Sequence, residues 1–387
     1  GTRGMEGVWT VHNRRYDLAE FAARHPGGRR ALELGKGRNC TELFEAYHSL
    51  ADEGKVRAAL AKFYVGDARP GDPDYDDTFS WRETPFFDAL KQRVRAHFAG
   101  RGRGAHKAGA GQWLQLVAYS ALSCALYAAL LRGSWWALFA LPYFYFTGPA
   151  SLLHDGAHFS LSTRPWVNVA ASYVGSFHMS PYTWNHQHTI GHHTYTGLLG
   201  GDPDLYHFSL GRKLVKMGDT VVGIPGFRVS QGLRHMPGWG LGVPIRMALT
   251  AAGPSLLEDV LSFAIWGGDS FIGVVPMLKI RGWRKAGHHT ARLLVYLVQF
   301  VVPFWSVLLH GSSGWAVWRL VKASIFALGP GAGHGFVYYL FTQAAHIQEE
   351  HFDGSEGLLK VSKEWAAHQV EHTQDYCTES ALWAHVA

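Results

Sequence analysis

From residue 113 onward the chain alternates long uncharged apolar runs with short polar segments, whereas residues 6–68 mix apolar and charged positions every few residues. The run WLQLVAYSALSCALYAALL from Trp113 holds no charge over about 19 residues, enough to cross a hydrocarbon core of about 30 Å at about 1.5 Å per residue. After Gly133 a second run, SWWALFALPYFYFTGPASLL, carries the chain back. ARLLVYLVQFVVPFWSVLLHG from Ala291 predicts a third span, and the long, interrupted run from Gly314 to His346 a fourth. Trp166 to Phe177 is apolar but short for a span. Leu241 to Leu278 is apolar but broken by Gly, Pro, Glu258, Asp259 and Asp269, and predicts an interfacial or partly inserted segment.

Three units follow from this pattern. Residues 6–68 read as a soluble head of short helices with charged faces, turned at Pro26-Gly27-Gly28. Residues 69–111 read as a linker and a basic juxtamembrane segment, and residues 112–387 as a membrane domain.

Composition supports the division. Of 387 residues, 47% are hydrophobic and only 17% charged, below the roughly 25% charged of soluble domains. Aromatic residues reach 14%, which suits belts at lipid headgroups. The net charge of +6 is concentrated in Lys91–Lys107 and Lys279–Lys285. Each basic run precedes an apolar segment and marks the cytoplasmic side of a span rather than a nucleic-acid surface. The three cysteines, Cys40, Cys124 and Cys377, are far apart and form no CxxC, so neither a disulfide framework nor a cysteine metal site is expected, and a reduced compartment is. No signal peptide precedes the first charged stretch, and the chain opens without Met, as a fragment would. With a cytoplasmic head, the first hairpin returns at His154 and the second near His346, so the histidine clusters outside the head share one face of the membrane.

Those clusters carry the candidate chemistry. The first is His154-Asp155-Gly156-Ala157-His158, the second runs from His186 to His193 in WNHQHTIGHHT, and His346 stands alone in QAAH. In an α-helix, residues four apart share a face. His154 and His158 then offer two imidazoles to one metal, as do His188 and His192, with His193 turned roughly 100° away toward a second ion. Imidazole suits iron, copper, zinc and nickel. A single such pair is equally a polar interface pair, but two clusters on one face argue for metal. His346 reads as a ligand or as a water-facing helix end. Asp155, Asp202 and Asp204 either orient the imidazoles or serve ordinary caps and turns. In the head, His25 in HPGG and His48 in FEAYHSL are either two surface histidines or a pair gripping a haem on both faces, which would leave no open site and so suit electron transfer.

At Tyr16-Asp17-Leu18, Phe21, His25-Pro26-Gly27-Gly28 and His48-Ser49 the head resembles cytochrome b5, with Asn39-Cys40-Thr41 where that family usually has Asp-x-Thr. HDGAH resembles the first histidine box of membrane fatty acid desaturases, and HTIGHH with TYTGLLGGDPDL the second. The fused order is similar to front-end desaturases of polyunsaturated acyl lipids and to sphingolipid Δ8 desaturases. The resemblance implies a small α+β haem domain followed by an all-α polytopic membrane domain with about four transmembrane helices and a cytoplasmic histidine-rich cap. It implies haem b on His25 and His48, and two non-haem irons on His154, His158, His188, His192, His193 and His346, with His186 and His372 as further candidates. The family's third box, Gln-x-x-His-His, is expected to be missing. The segment HQVEHT, with Gln369 and His372, has Thr373 where that box has its last histidine, and the chain ends at Ala387.

The activity so implied is insertion of a cis double bond into an acyl-CoA or acyl-lipid chain. It uses O2 and electrons passed from an NADH-cytochrome b5 reductase through the haem, in the endoplasmic reticulum bilayer, with no nucleic-acid partner. A hydroxylase with similar clusters, or a membrane-tethered electron carrier without catalysis, are the alternatives.

Overall fold

The computed structural model describes residues 7–102, 104–177, 179–198, 201–205, 216–217, 220–222, 228–229, 270–271, 275–278, 280, 282–310, 314–346, 361 and 363–373. The head is built on an antiparallel sheet in the order β1 (Trp9–Val11), β2 (Arg14–Tyr16), β3 (Tyr64–Asp67). His12 and Asn13 turn β1 into β2 with φ of 50° and 57°, the two-residue turn that matches strand twist. Between β2 and β3 lie α1 (Arg29–Glu33), α2 (Thr41–Tyr47) and α3 (Glu53–Ala61), the last capped by Asp52, which accepts the Lys55 N–H. Trp9, Val11, Tyr16, Leu18 and Cys40 form the core, with Phe21, Phe44 and Phe63 packed against it. The head is thus α+β, as expected.

The segment leaving the head is firmly held. Arg15 binds Asp72 and the buried Asp74. Residues 85–98 form a helix, α4 (Pro85–Phe98), whose Phe86 and Phe87 N–H groups donate to the Glu364 carboxylate. Trp81 stacks on Trp365 at 6.1 Å.

The remainder is mostly helical: α5 (Ala110–Leu131), α6 (Trp135–Tyr145), α7 (Ser151–Ala157), α8 (Pro165–Val174), α9 (Pro181–Trp184), α10 (His193–Tyr195), α11 (Trp283–Tyr296), α12 (Val302–His310), α13 (Ala316–His346) and α14 (Trp365–Glu371). It is not all-α. Short strands β4 (Lys216–Met217), β5 (Thr220–Val222) and β6 (Arg228–Val229) pair antiparallel, as do β7 (Ser270–Phe271) and β8 (Val275–Pro276). The last pair lies in the run from Leu241 to Leu278, most of which falls outside the described residues.

Among the described residues, two helices are long and apolar enough to cross a membrane: α5, and the 28-residue run Trp283–His310, which joins α11 to α12 through a π-helical turn and starts earlier than Ala291. Only 17% and 11% of their apolar windows is buried, the reverse of a soluble core helix. Leu114 and Leu309 instead turn outward, 71% and 61% exposed. The second predicted run is one helical path divided by a π turn at Phe146–Ala150, into α6 and α7, with Pro142 and Pro149 unable to donate. The fourth run is not interrupted: α13 passes unbroken through Pro330. Its glycines are a packing face. A Cβ on Gly329 would meet Leu138 at 2.7 Å, and one on Gly333 would meet Pro142 at 2.6 Å. Leu126, Leu130, Leu138, Leu141, Val307 and Phe326 fill the core among α5, α6, α12 and α13.

Candidate metal centre and haem site

The first cluster is positioned by a close helix crossing. A Cβ on Gly156 would lie 2.6 Å from the Asn168 carbonyl oxygen and 2.8 Å from the Ser172 nitrogen, so only glycine lets α7 approach α8 this closely. Asn168 Oδ1 accepts the N–H groups of Leu161 and Ser162, and so holds the turn that follows His158. The His154 and His158 rings are 4.7 Å apart by centroid.

The second cluster departs from the expected register. Ser180 caps α9 by accepting the Thr183 N–H, and the chain then runs as a π-helix over Asn185–His192. In an i→i+5 ladder, residues five apart come together. His193 therefore joins His188, Nε2 to Nε2 at 3.1 Å, instead of turning away from it. His192 points its Nδ1 at Asp202, 3.0 and 3.1 Å from the two oxygens. Asp202 also accepts the N–H groups of Gly197 and Asp204, and Asp204 accepts from Gln187 at 2.6 Å.

Four imidazoles, those of His154, His158, His188 and His193, bring one ligand atom each within 4.8 Å of one another. His192, Asp202 and Asp204 form a second such group, fully buried. The donor set fits metal. His158 Nε2 is buried without a hydrogen-bond partner, which is costly for a polar atom. Two nitrogens bound to one ion at about 2.1 Å stand about 3 Å apart when roughly at right angles, as the His188 and His193 pair does. Burial favours the neutral imidazole, the ligating form, and pushes His158 down to about 3, reinforced by His154 and His192. Carboxylates hold the ring orientations. Asp155 Oδ1 sits 2.9 Å from His154 Nδ1 and its other oxygen accepts from Gln112 at 2.8 Å.

Two further candidates take other roles. His186 has Nδ1 at the Tyr182 carbonyl and Nε2 accepting the Leu278 N–H, so the backbone engages both nitrogens and neither is left for a metal. His372 is in neither ligand group; its Nδ1 meets the His368 carbonyl and its ring stacks on His368 at 3.8 Å. His346 ends α13, and its side chain lies outside the described residues. Gln112, Gln187 and Trp184, whose ring lies 4.5 Å from His188, were not predicted from the sequence. Gln112 and Gln187 act through the distant Asp155 and Asp204, which no periodicity marks; Trp184 lies four residues before His188, a spacing that could have found it.

In the head, His25 and His48 face each other with ring centroids 6.1 Å apart. His25 Nδ1 meets the Gly28 carbonyl at 3.2 Å and His48 Nδ1 the Phe44 carbonyl at 2.8 Å. Both bonds place the lone pair on Nε2, where a haem iron would take it. Burial holds both imidazoles below the usual histidine range.

Residues 3–69 match the cytochrome b5-like heme/steroid binding domain family. The chain is 26% identical to the acyl-lipid omega-13 desaturase of Chlamydomonas reinhardtii, over 98% of this chain and 80% of that one. It is 27% identical to the acyl-lipid (8-3)-desaturase of Mortierella alpina, over 97% and 79%. It is 30% identical to the probable Delta(5) fatty acid desaturase C of Dictyostelium discoideum, over 97% and 78%. No solved structure matches. With a haem-binding head, a histidine cluster and similarity that runs along nearly its whole length, the chain belongs to the cytochrome b5-fused acyl-lipid desaturases.

Proposed function

We propose that the protein is a front-end desaturase that introduces a cis double bond into a polyunsaturated acyl chain. The observation that carries this reading is the convergence of His154, His158, His188 and His193 on one point, with His192 beside them on its Asp202 partner. When bound, two irons there supply the O2 chemistry that removes two hydrogens from adjacent methylenes, and haem b supplies the electrons. His154, His158, His188, His192 and His193 hold the irons, and His346 completes the set. Asp155 and Asp202 accept Nδ1–H protons and so keep the Nε2 atoms of His154 and His192 as ligands. Trp184, Leu153 and Ala157 pack together as apolar surface on the buried side of the cluster.

His25 and His48 are the axial haem ligands. Residues 6–68 are the haem domain, 69–111 the connection and 112–387 the desaturase body, crossing the bilayer four times with head and histidines cytoplasmic at the endoplasmic reticulum. NADH-cytochrome b5 reductase is the electron donor, and an acyl-CoA or acyl-lipid the substrate. Expression in yeast supplied with polyunsaturated acids tests the reading: a new double bond is expected. An alcohol at the same carbon would make the protein a hydroxylase. Haem iron without further iron, and no product, would make it an electron carrier.

A further inference from the structure

Tyr47 and Phe159 meet edge to face across the boundary between head and body, ring centroids 6.3 Å apart at 89°. Each ring is the chain neighbour of a ligand: Tyr47 precedes His48, and Phe159 follows His158. We infer that this ring pair is the internal contact through which an electron leaves the haem for the histidine cluster. The inference rests on the haem and metal assignments above.

Several independent features aim the head this way. The other axial loop also faces the segment that leaves His158: a Cβ on Gly28, three residues after His25, would lie 2.6 Å from Pro165 Cβ. Both haem-bearing loops therefore straddle residues 159–165. Phe159 is held in place at a backbone cost. Its φ is 55°, a region that L-residues other than Asn and Asp rarely enter. Its carbonyl accepts Lys107 Nζ at 2.8 Å, its N–H donates to the Gly156 carbonyl, and the next residue, Ser160, donates to the Asp155 carbonyl and accepts the Ala108 N–H. On the head side, Arg95 of α4 donates to the Ser49 and Ala51 carbonyls, the turn just after His48. Tyr195 donates to Asp76 at 2.7 Å and Arg38 to the Pro276 carbonyl at 2.7 Å, so the docked face is fastened from a second side.

Electron tunnelling falls steeply across gaps and slowly along bonded atoms. The bonded paths from His48 through Tyr47 and from His158 through Phe159 end in this edge-to-face ring pair, leaving one through-space step. In that step the haem iron goes from ferrous to ferric and one ferric ion of the cluster becomes ferrous. No proton moves, and the reductase restores the haem. Tyr47 and Phe159 are positioning residues; neither touches the reacting carbon.

The test uses the full-length, haem- and iron-loaded protein. The haem is reduced in advance and mixed with O2 and an accepted acyl substrate, and its re-oxidation is followed by absorbance. Tyr47→Leu and Phe159→Leu are each expected to slow re-oxidation at least tenfold, while haem spectrum, iron content and reduction by the reductase stay at wild-type values. Tyr47→Phe, which keeps the ring, is expected to remain within about twofold of wild type. Wild-type rates in both leucine variants overturn the route while leaving the desaturase reading intact, as does an equal slowing by Tyr47→Phe. Should one leucine variant lose haem or iron, the other, on the opposite partner, still decides. A wild-type haem whose re-oxidation ignores the acyl substrate removes the acceptor and overturns both.

Discussion

Nε2 of His188 lies 3.1 Å from Nε2 of His193, five residues further along a π-helical segment. That spacing converts two residues that α-helical geometry would separate into partners at one point. It also releases His192, the neighbour of His193, to the carboxylate of Asp202. The two jobs require the two registers to differ by one residue, which the π turn supplies.

The pair predicts a shared ion. His193→Ala is expected to lose iron from the cluster and to lower desaturation at least a hundredfold, with the haem spectrum unchanged. Iron analysis beside the haem absorbance checks this. Full iron content in the variant would remove His193 from the ligand set.

Asp202 has a different role. It accepts the His192 Nδ1–H together with two backbone N–H groups at 2.8 and 2.9 Å. Asp202→Asn keeps the volume but loses the charge that fixes the tautomer. Iron affinity or activity is expected to fall by about 10- to 100-fold, as for other carboxylates that support a metal-bound histidine. An unchanged iron titration would make Asp202 a turn residue only.

Gly156 is the residue that lets α7 rest against α8. Gly156→Ala places a methyl 2.6 Å from the Asn168 carbonyl oxygen, and backbone cannot swing aside as a side chain can. Overpacking of this kind costs about 1–3 kcal/mol. A lower thermal midpoint and a widened His154–His158 pair, read as weaker iron binding, are expected. A midpoint equal to wild type would show that the crossing has slack.

Glu42 predicts a pH dependence of stability. It is 5% exposed, with Trp81 Nε1 donating to it at 3.4 Å. Burial, and then the charge of Asp76, raise its pKa from 4.5 to about 8. The folded chain thus holds this proton more tightly than the unfolded chain. The associated stability is full below about pH 4.5 and is lost as pH rises toward 8. Glu42→Gln, neutral at every pH, is expected to raise the thermal midpoint at pH 8 and to change it little near pH 4.5. The gain is on the scale of about 1 kcal/mol or more, given roughly 1.4 kcal/mol per pKa unit. Equal midpoints at pH 8 would contradict the assignment.

Legibility from the sequence followed the range of each interaction. His25 and His48 were readable because HPGG and the following helix are local signatures, and the structure sets the two rings 6.1 Å apart. The first box was readable because four residues of α-helix bring His154 to His158. His186 looked like a ligand by its neighbours, yet Tyr182 and Leu278 engage its nitrogens, and Leu278 is distant in the chain. The run from Gly314 looked interrupted because the breaking power of glycine and proline is a local property. Close approach of Gly329 to Leu138 and of Gly333 to Pro142 makes the two glycines a helical packing face instead.

The order of apolar runs and the spacing of histidines, both properties of short stretches, determined by themselves the division into a head and an apolar body and the histidines that are candidates to carry chemistry. Only the tertiary structure decided which imidazoles meet, which carboxylate each one faces, and where the head rests. Those outcomes depend on a π-helical register and on contacts between residues far apart in the chain, and no local periodicity encodes either.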